Sequence, residues 1–274
     1  MQKLNLALAA ILVVSLVSHT MEAKAQLNQY LISKIESFHL FVDSLKILAS
    51  SPGKKFTLPN RGRPSRLSST GRRGRCSDLK EPFIALIPHF LEQTQDENVV
   101  SALGKTAQSE PVFWFYVPKL PQDVRKLEFR LLNENKEAQK YILNLTDTPG
   151  IVGFRPSLHQ KLKLNQQYHF TASIIYCDSD ISKNPTVDSW VERVTLGDSL
   201  ENQLRGATAE KRIELYSKNG IWHETLTLLV EKHQENPNNP MINDQLVSLL
   251  KDAGFENIAN KTNIKYYILS TQNN

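Results

Sequence analysis

About seven short β-prone runs with turn signals between them, a change to helical periodicity after Leu196, and two cysteines, Cys76 and Cys177, bracketing most of the β-rich stretch predict the fold class. The expected architecture is mainly β plus α: an immunoglobulin-like antiparallel β-sandwich followed by a short helical module. No helix pattern interrupts the strands, which argues against alternating strand–helix units and a parallel sheet.

In chain order the first element is a leader. "MQKLNLALAAILVVSLVSHTMEAKAQ" has a positive residue at Lys3, an apolar core and the small residues Ala23 and Ala25 before Gln26. That pattern predicts a signal peptide over 1–25, cleaved near Ala25, and a periplasmic or secreted product. The apolar run is shorter than the roughly 20 residues a membrane-spanning helix needs, so no membrane span is expected after cleavage. An uncleaved anchor is the alternative. Residues 26–50 then place Leu27, Tyr30, Leu31, Ile35, Phe38, Val42 and Leu45 at helical spacing, as in an amphipathic helix. Packing on the domain, pairing with a partner and lying on a membrane surface are all open to it.

A basic linker over 51–75 follows. Lys54, Lys55, Arg61, Arg63, Arg66, Arg72, Arg73 and Arg75 occur there without an acid, whereas the whole chain is only +5. The rest is therefore net acidic, and the positive charge belongs to one segment rather than to a domain face. A folded nucleic-acid-binding surface is basic in itself, so no nucleic acid is expected as partner. Three uses are open for the arginines: a flexible linker, adhesion to anionic envelope polymers, or pairing with acids of the sandwich. Arg61, Arg63, Arg66, Arg72, Arg73 and Arg75 are the polyanion-binding candidates.

The sandwich is assigned to 76–200. "PFIALIPH" and "VFWFYVP" come first; "RKLEFRLLN" and "AQKYILNLT" flank the short connection "ENKE"; "GIVGFR" follows the turn "TPG"; "QYHFTASIIYC" and "SWVERVTL" complete the set. Alternation in "KLEFRL" sends Leu127, Phe129 and Leu131 to one face and Glu128 and Arg130 to the other. In "FWFYVP" two aromatics point into the sandwich and two point outward or under the helices, with core the favoured reading over a stacking platform.

The helical module spans 201–262 and a C-terminal tail 263–274. Ile213, Leu215, Tyr216, Ile221, Trp222, Leu226, Leu229 and Val230 carry the apolar faces of two helices broken at Gly220. "NPNNP" stops the second, and "MINDQLVSLLKDAGFENIA" reads as a third. Tyr216, Gly220, Trp222 and Pro237 resemble a tetratricopeptide repeat, but a single hairpin is too few for a solenoid. It reads as a cap on the sandwich, or as a docking face with Tyr216 and Trp222 as the partner-docking candidates.

Taken in order, "FTLPNRGRPSRLSSTGRRGRC", "ALIPH", "VFWFYVP", "TPGIVGF", "YHFTASIIYCDSD", "WVERV" and "LYSKNGIWHETLTLL" resemble the blocks of the cyanobacterial family called domain of unknown function 928, over about residues 56–255. The resemblance implies an exported protein with no assigned activity. It also implies that the cysteines of "GRC" and "YCD" recur. An even cysteine count in an exported chain already points to a Cys76–Cys177 disulfide, with two separate thiols as the alternative. Such a bridge closes a loop of about 100 residues, worth up to roughly 4–5 kcal/mol in the chain-entropy model. This chain is richer in arginine at "SSTGRRG" than the usual glycine-rich form.

Catalytic motifs are lacking. The seven histidines are scattered, and no Gly-x-Ser-x-Gly elbow, phosphate loop or dinucleotide fingerprint occurs. No catalytic residue and no cofactor is assigned. His169 in "YHFTASI" is a packed or exposed imidazole before it is a base. Asp178 and Asp180 form a weak calcium candidate, because calcium wants six to eight oxygens. The preferred expectation is a non-enzymatic envelope or extracellular binding module with another envelope protein as partner. Adhesion to an anionic polymer comes second and an unrecognised hydrolase third.

Overall fold

The computed structural model describes residues 56–69, 79–93, 98–132, 137–176, 180–261 and 265–270, together with residue 29. The chain divides into two compact units, Met1–Pro52 and Gly53–Asn274, and every element below belongs to the second. The leader, the 26–50 helix, Arg72, Arg73, Arg75, Cys76, Cys177 and Asp178 lie outside the described residues.

The architecture is mostly β with a set of C-terminal helices. One five-stranded sheet has the order β13-β10-β7-β3-β2, where β2 is Ser68–Ser69, β3 Phe83–Ala85, β7 Phe113–Val117, β10 Gly150–Arg155 and β13 Lys265–Ser270. A second runs β6-β12-β11-β8-β9, with β6 Gly104–Thr106, β8 Lys126–Leu132, β9 Ala138–Asn144, β11 Gln166–Ile174 and β12 Thr186–Arg193. The third is small: β1 (Arg63–Pro64), β5 (Asn98–Ala102) and β4 (His89–Gln93). Most pairings are antiparallel, but β10 with β13 and β12 with β6 are parallel. An all-antiparallel arrangement does not include those two pairs. One comes from the last strand, as residues 265–270, which read as tail, lengthen the first sheet beside β10; the other comes from the short β6, which joins the edge of the second sheet beside β12.

The two large sheets meet across an aromatic layer. Phe113 of β7 lies 4.7 Å from Phe129 of β8 and 5.2 Å from Phe170 of β11, and Phe154 of β10 lies 5.2 Å from Phe129. Alternation produces this layer. Leu127, Phe129 and Leu131 are buried, while Glu128 and Arg130 stay half-exposed, as the sequence pattern predicts.

All five residues of β7 are buried, because both faces of the strand are covered. Its second face meets the helices α1 (Asp198–Leu204), α2 (Ala209–Lys218), α3 (Trp222–Glu235), α4 (Pro240–Asp252) and α5 (Glu256–Ala259). Trp114 Nε1 donates to Thr227 Oγ1 of α3 at 3.2 Å, and Tyr116 Oη donates to Glu81 Oε2 at 2.5 Å. The helices are thus a third layer on the first sheet. The α2–α3 turn closes at Gly220, whose φ of +67° is open to glycine at no steric cost. Thr208 caps α2 by accepting from Lys211 N, and Asn239 caps α4 ahead of Pro240.

Candidate functional site

Residues 56–69 form an extended strap that stitches the layers together. Phe56 N donates to Asp252 of α4 and Thr57 N to the Ser217 carbonyl of α2. Further along, β1 pairs with β5, Asp188 N donates to the Arg66 carbonyl at 2.9 Å, and β2 pairs with β3. Leu67 points inward and is buried, so its neighbours point outward.

Arg61, Arg63 and Arg66 of the strap are exposed and lie over the outer face of β11 and β12. Cross-strand register there pairs Gln167 with Glu192 and His169 with Trp190. Arg61 donates to Glu192 Oε1 at 2.6 Å, and Arg66 sits 3.4 Å from Asp188 Oδ2. Arg63 donates to Gln167 Oε1 at 2.5 Å and holds its guanidinium 4.5 Å from the Trp190 ring centroid, a cation–π contact. Of the three uses open in the sequence, Arg61 and Arg66 show the pairing to acids, although their side chains remain 63% and 61% exposed. His169 Nε2 lies 3.3 Å from Asp188 Oδ1, within reach of a hydrogen bond that the carboxylate accepts.

Asp180 caps a short 3₁₀ turn. It accepts from Ser182 N and Oγ and pairs with Lys183. The Ser182 and Lys183 contacts hold its carboxyl below the usual range. Among the described residues, no group of three or more potential ligands gathers for a metal ion, and no helix is long and apolar enough to cross a membrane.

The two docking candidates separate. Trp222 is fully buried with its indole donating to the Leu86 carbonyl at 2.7 Å, because α3 is the middle helix and the sheet lies beneath it. Tyr216 is half-exposed and lines a cleft of about 280 Å³ between α2, α3, the end of β10 and the loop before β7. Arg155, Arg212, His223, Glu224 and Leu228 are among the other lining residues.

Two buried polar residues stand side by side there. His223 Nδ1 lies 2.7 Å from the Val112 carbonyl, an acceptor only, so Nδ1 carries the proton and Nε2 keeps a bare lone pair. Nε2 has no partner, and a Cβ added to Gly104 would come within 2.6 Å of it. Burial pulls the imidazole down to about 4, so it is neutral near pH 7. Glu224 is 8% exposed. Its Oε1 accepts from Thr106 Oγ1 at 2.6 Å, Ala107 N at 3.1 Å and Gln108 N at 3.2 Å, while Oε2 has no partner. Burial pushes this carboxyl up, against the pull of those donors.

Chemically the cleft offers the Arg212 guanidinium and the Tyr216 hydroxyl, with Glu224 in its wall and the unpartnered Oε2 of that residue buried, and an ion pair between Arg155 and Glu231 at 3.6 Å on its rim. Sequence reasoning singled out Tyr216 alone. The missed signal is "IWHETLTLLV", which is apolar or small around nearly the whole helix apart from His223 and Glu224. A helix buried all round makes its few polar residues buried too.

A family model described as Domain of Unknown Function 928 matches residues 68–263. No curated protein and no solved structure matches the chain.

Proposed function

The chain belongs to the domain of unknown function 928 family, and from that footing we propose that it is an exported, non-enzymatic binding module whose ligand site is the cleft at Tyr216 and Glu224. The observation that carries this reading is that Arg212, Tyr216 and the buried Glu224 all line one recess. Binding sites are recesses with a few convergent polar groups, often including a group of perturbed pKa. Export rests on the leader pattern, and a non-enzymatic role on the absence of a nucleophile motif and on the ties of two imidazoles, His169 to Asp188 and His223 to Val112. The finer architecture belongs to the same proposal: an immunoglobulin-like sandwich, supported by the facing five-stranded sheets, and a tetratricopeptide-like hairpin, supported by α2 and α3. The Cys76–Cys177 bridge is part of it as well, and peptide mapping without reductant tests that bond directly.

Adhesion of the arginine segment to anionic envelope polymers is the second reading. The exposure of Arg61 and Arg66 favours it, and their acid partners weaken it. One capture experiment separates the two. The oxidised full chain is used as bait in envelope extract at low and high salt, beside a Tyr216→Ala/Arg212→Ala variant and a variant with the strap arginines replaced by glutamine. A partner envelope protein or small ligand that survives high salt and is lost with the cleft variant supports the binding module. Capture of anionic polymer alone, lost with salt or with the strap arginines, overturns it in favour of adhesion.

A further inference from the structure

We infer that β9 (Ala138–Asn144) is a self-association edge, on which a second copy of this chain adds its own β9 in antiparallel register, independently of the Tyr216 cleft. β9 ends the sheet β6-β12-β11-β8-β9, so among the described residues one side of it faces no strand. It runs for seven residues, against six in β13, five in β4, three in β6 and two each in β1 and β2, the other outer strands. Its register with β8 is unbroken from Lys126 opposite Asn144 to Leu132 opposite Ala138, with no bulge and no proline. A long, regular edge of this kind is a template for another strand.

Hydrogen-bond parity decides which backbone groups are free. Leu145 N donates to the Arg125 carbonyl at 2.7 Å, and that pair continues the β8–β9 register. Bonded and unbonded pairs alternate along an antiparallel ladder. Gln139, Tyr141 and Leu143 therefore bond to β8, while Ala138, Lys140, Ile142 and Asn144 turn their N–H and C=O groups to the open side. All four of these residues are exposed. An edge lysine commonly blocks pairing. Lys140 does not stand across the edge, because its ammonium is drawn back to Glu128 Oε2 at 2.7 Å, with Arg130 on Oε1. Beside it Ile142 is 48% exposed.

An extended chain is the natural occupant, since its alternating N–H and C=O groups answer those of the edge. β9 itself fits. With a two-fold axis at Tyr141, Ala138 meets Asn144 of the other copy and Lys140 meets Ile142 of the other copy. The free positions of one copy then face the free positions of the other, each pair exchanges both of its bonds, and no bond to β8 is disturbed. Charge is complementary in this register. The stem of each lysine covers the exposed Ile142 opposite, and its ammonium points along the row toward Glu128, the cross-strand neighbour of that isoleucine. Other axes fit less well. An axis at Lys140 sets lysine against lysine. An axis at Ile142 leaves Ala138 beyond the end of the partner strand and points Lys140 past Asn144 toward Lys126, a second cation.

The test is sedimentation velocity of the full chain from about 1 μM to about 200 μM, where the mass rises from monomer to dimer. Amide exchange followed by NMR shows Lys140 and Ile142 slowing as concentration rises, whereas Tyr141 and Leu143 are slow throughout. Ile142→Pro removes an N–H that β8 does not use, so the fold is kept and association weakens at least about tenfold. A Lys140→Cys chain mixed with an Ile142→Cys chain cross-links under mild oxidation, because the two positions stand about 5.5 Å apart at Cα. Ala138→Cys with its own copy, about 20 Å apart across the axis, does not. A parent that stays monomeric overturns the inference, and so does a dimer that survives Ile142→Pro unchanged. Equal cross-linking of the Ala138→Cys control overturns it too. Slowed exchange at Lys140 and Ile142 in a monomeric protein, seen only when envelope extract is added, replaces the second copy with a strand of another protein. The cleft reading is decided separately, by the capture experiment.

Discussion

Trp222 donates its indole hydrogen to the Leu86 carbonyl at 2.7 Å, and this bond ties the first turn of α3 to the chain leaving β3. The ring is fully buried, and Phe56 of the strap meets it edge-on at 5.2 Å. Three parts of the fold therefore meet at one side chain. Trp222→Phe removes the donor, leaves a buried carbonyl unmet and opens a gap. The expected loss is about 2–3 kcal/mol, read from urea or guanidinium unfolding. A loss under a few tenths of that would show that the indole is not what binds helix to sheet.

The His223 ring fits only because residue 104 has no side chain. A Cβ at that position meets Nε2 at 2.6 Å and Ile87 Cδ1 at 3.1 Å. The ring has little freedom to retreat, since the Val112 carbonyl holds its Nδ1 and Phe113 packs against it edge-on. Gly104→Ala is expected to cost roughly 1–3 kcal/mol by overpacking. The double variant with His223→Ala should cost less than the sum of the two singles, and strict additivity in that cycle would refute the contact.

Acid should destabilise the protein through His223. Its pKa falls from 6.5 to about 4 on folding, because burial opposes the charged ring. The unfolded chain takes up a proton below 6.5 that the folded chain declines, so stability drops as pH falls from there to about 4 and is unaffected above. The span amounts to on the order of 3 kcal/mol. His223→Asn keeps a donor to Val112 and should flatten that part of the stability–pH curve; an unchanged slope in the variant would overturn the assignment.

Glu224 pulls the other way. Burial raises its folded pKa, so the stability it allows is present at low pH and is lost as pH rises through the raised value. Glu224→Gln, which keeps the acceptor for Thr106, Ala107 and Gln108, should gain stability relative to the parent on the neutral side. Thermal melts of both proteins across pH 4 to 8 measure this. A variant that is less stable throughout would mean that the carboxylate form is the one the fold prefers.

Glu192 is 5% exposed and its close partner is Arg61, with Gln167 Nε2 at 3.4 Å beyond it. Arg61→Ala leaves that carboxylate underpaired at the sheet surface, with an expected cost of about 1 kcal/mol. Arg66→Ala, at a longer contact with the half-exposed Asp188, should cost less. Equal and negligible effects of both would assign the strap arginines to solvent or to an external polymer.

Much of this was legible along the chain. Period-two alternation marked Leu127, Phe129 and Leu131 as one buried face, and Gly220 with the apolar spacing around it marked the helical hairpin, because those signals are local and depend on backbone geometry alone. What only the tertiary structure decided were relations between distant segments. The strap arginines gained acid partners more than 100 residues away, as in Arg61 with Glu192. The apparent tail became β13 beside β10. Trp222 turned inward, and Glu224 came to lie in the wall of the cleft that Arg212 also lines, because the helices lie on the sheet as a third layer and bury most of Trp222–Val230. Local periodicity tells which face of an element is apolar; it does not tell what covers the other face, and here that covering buried the polar pair His223 and Glu224.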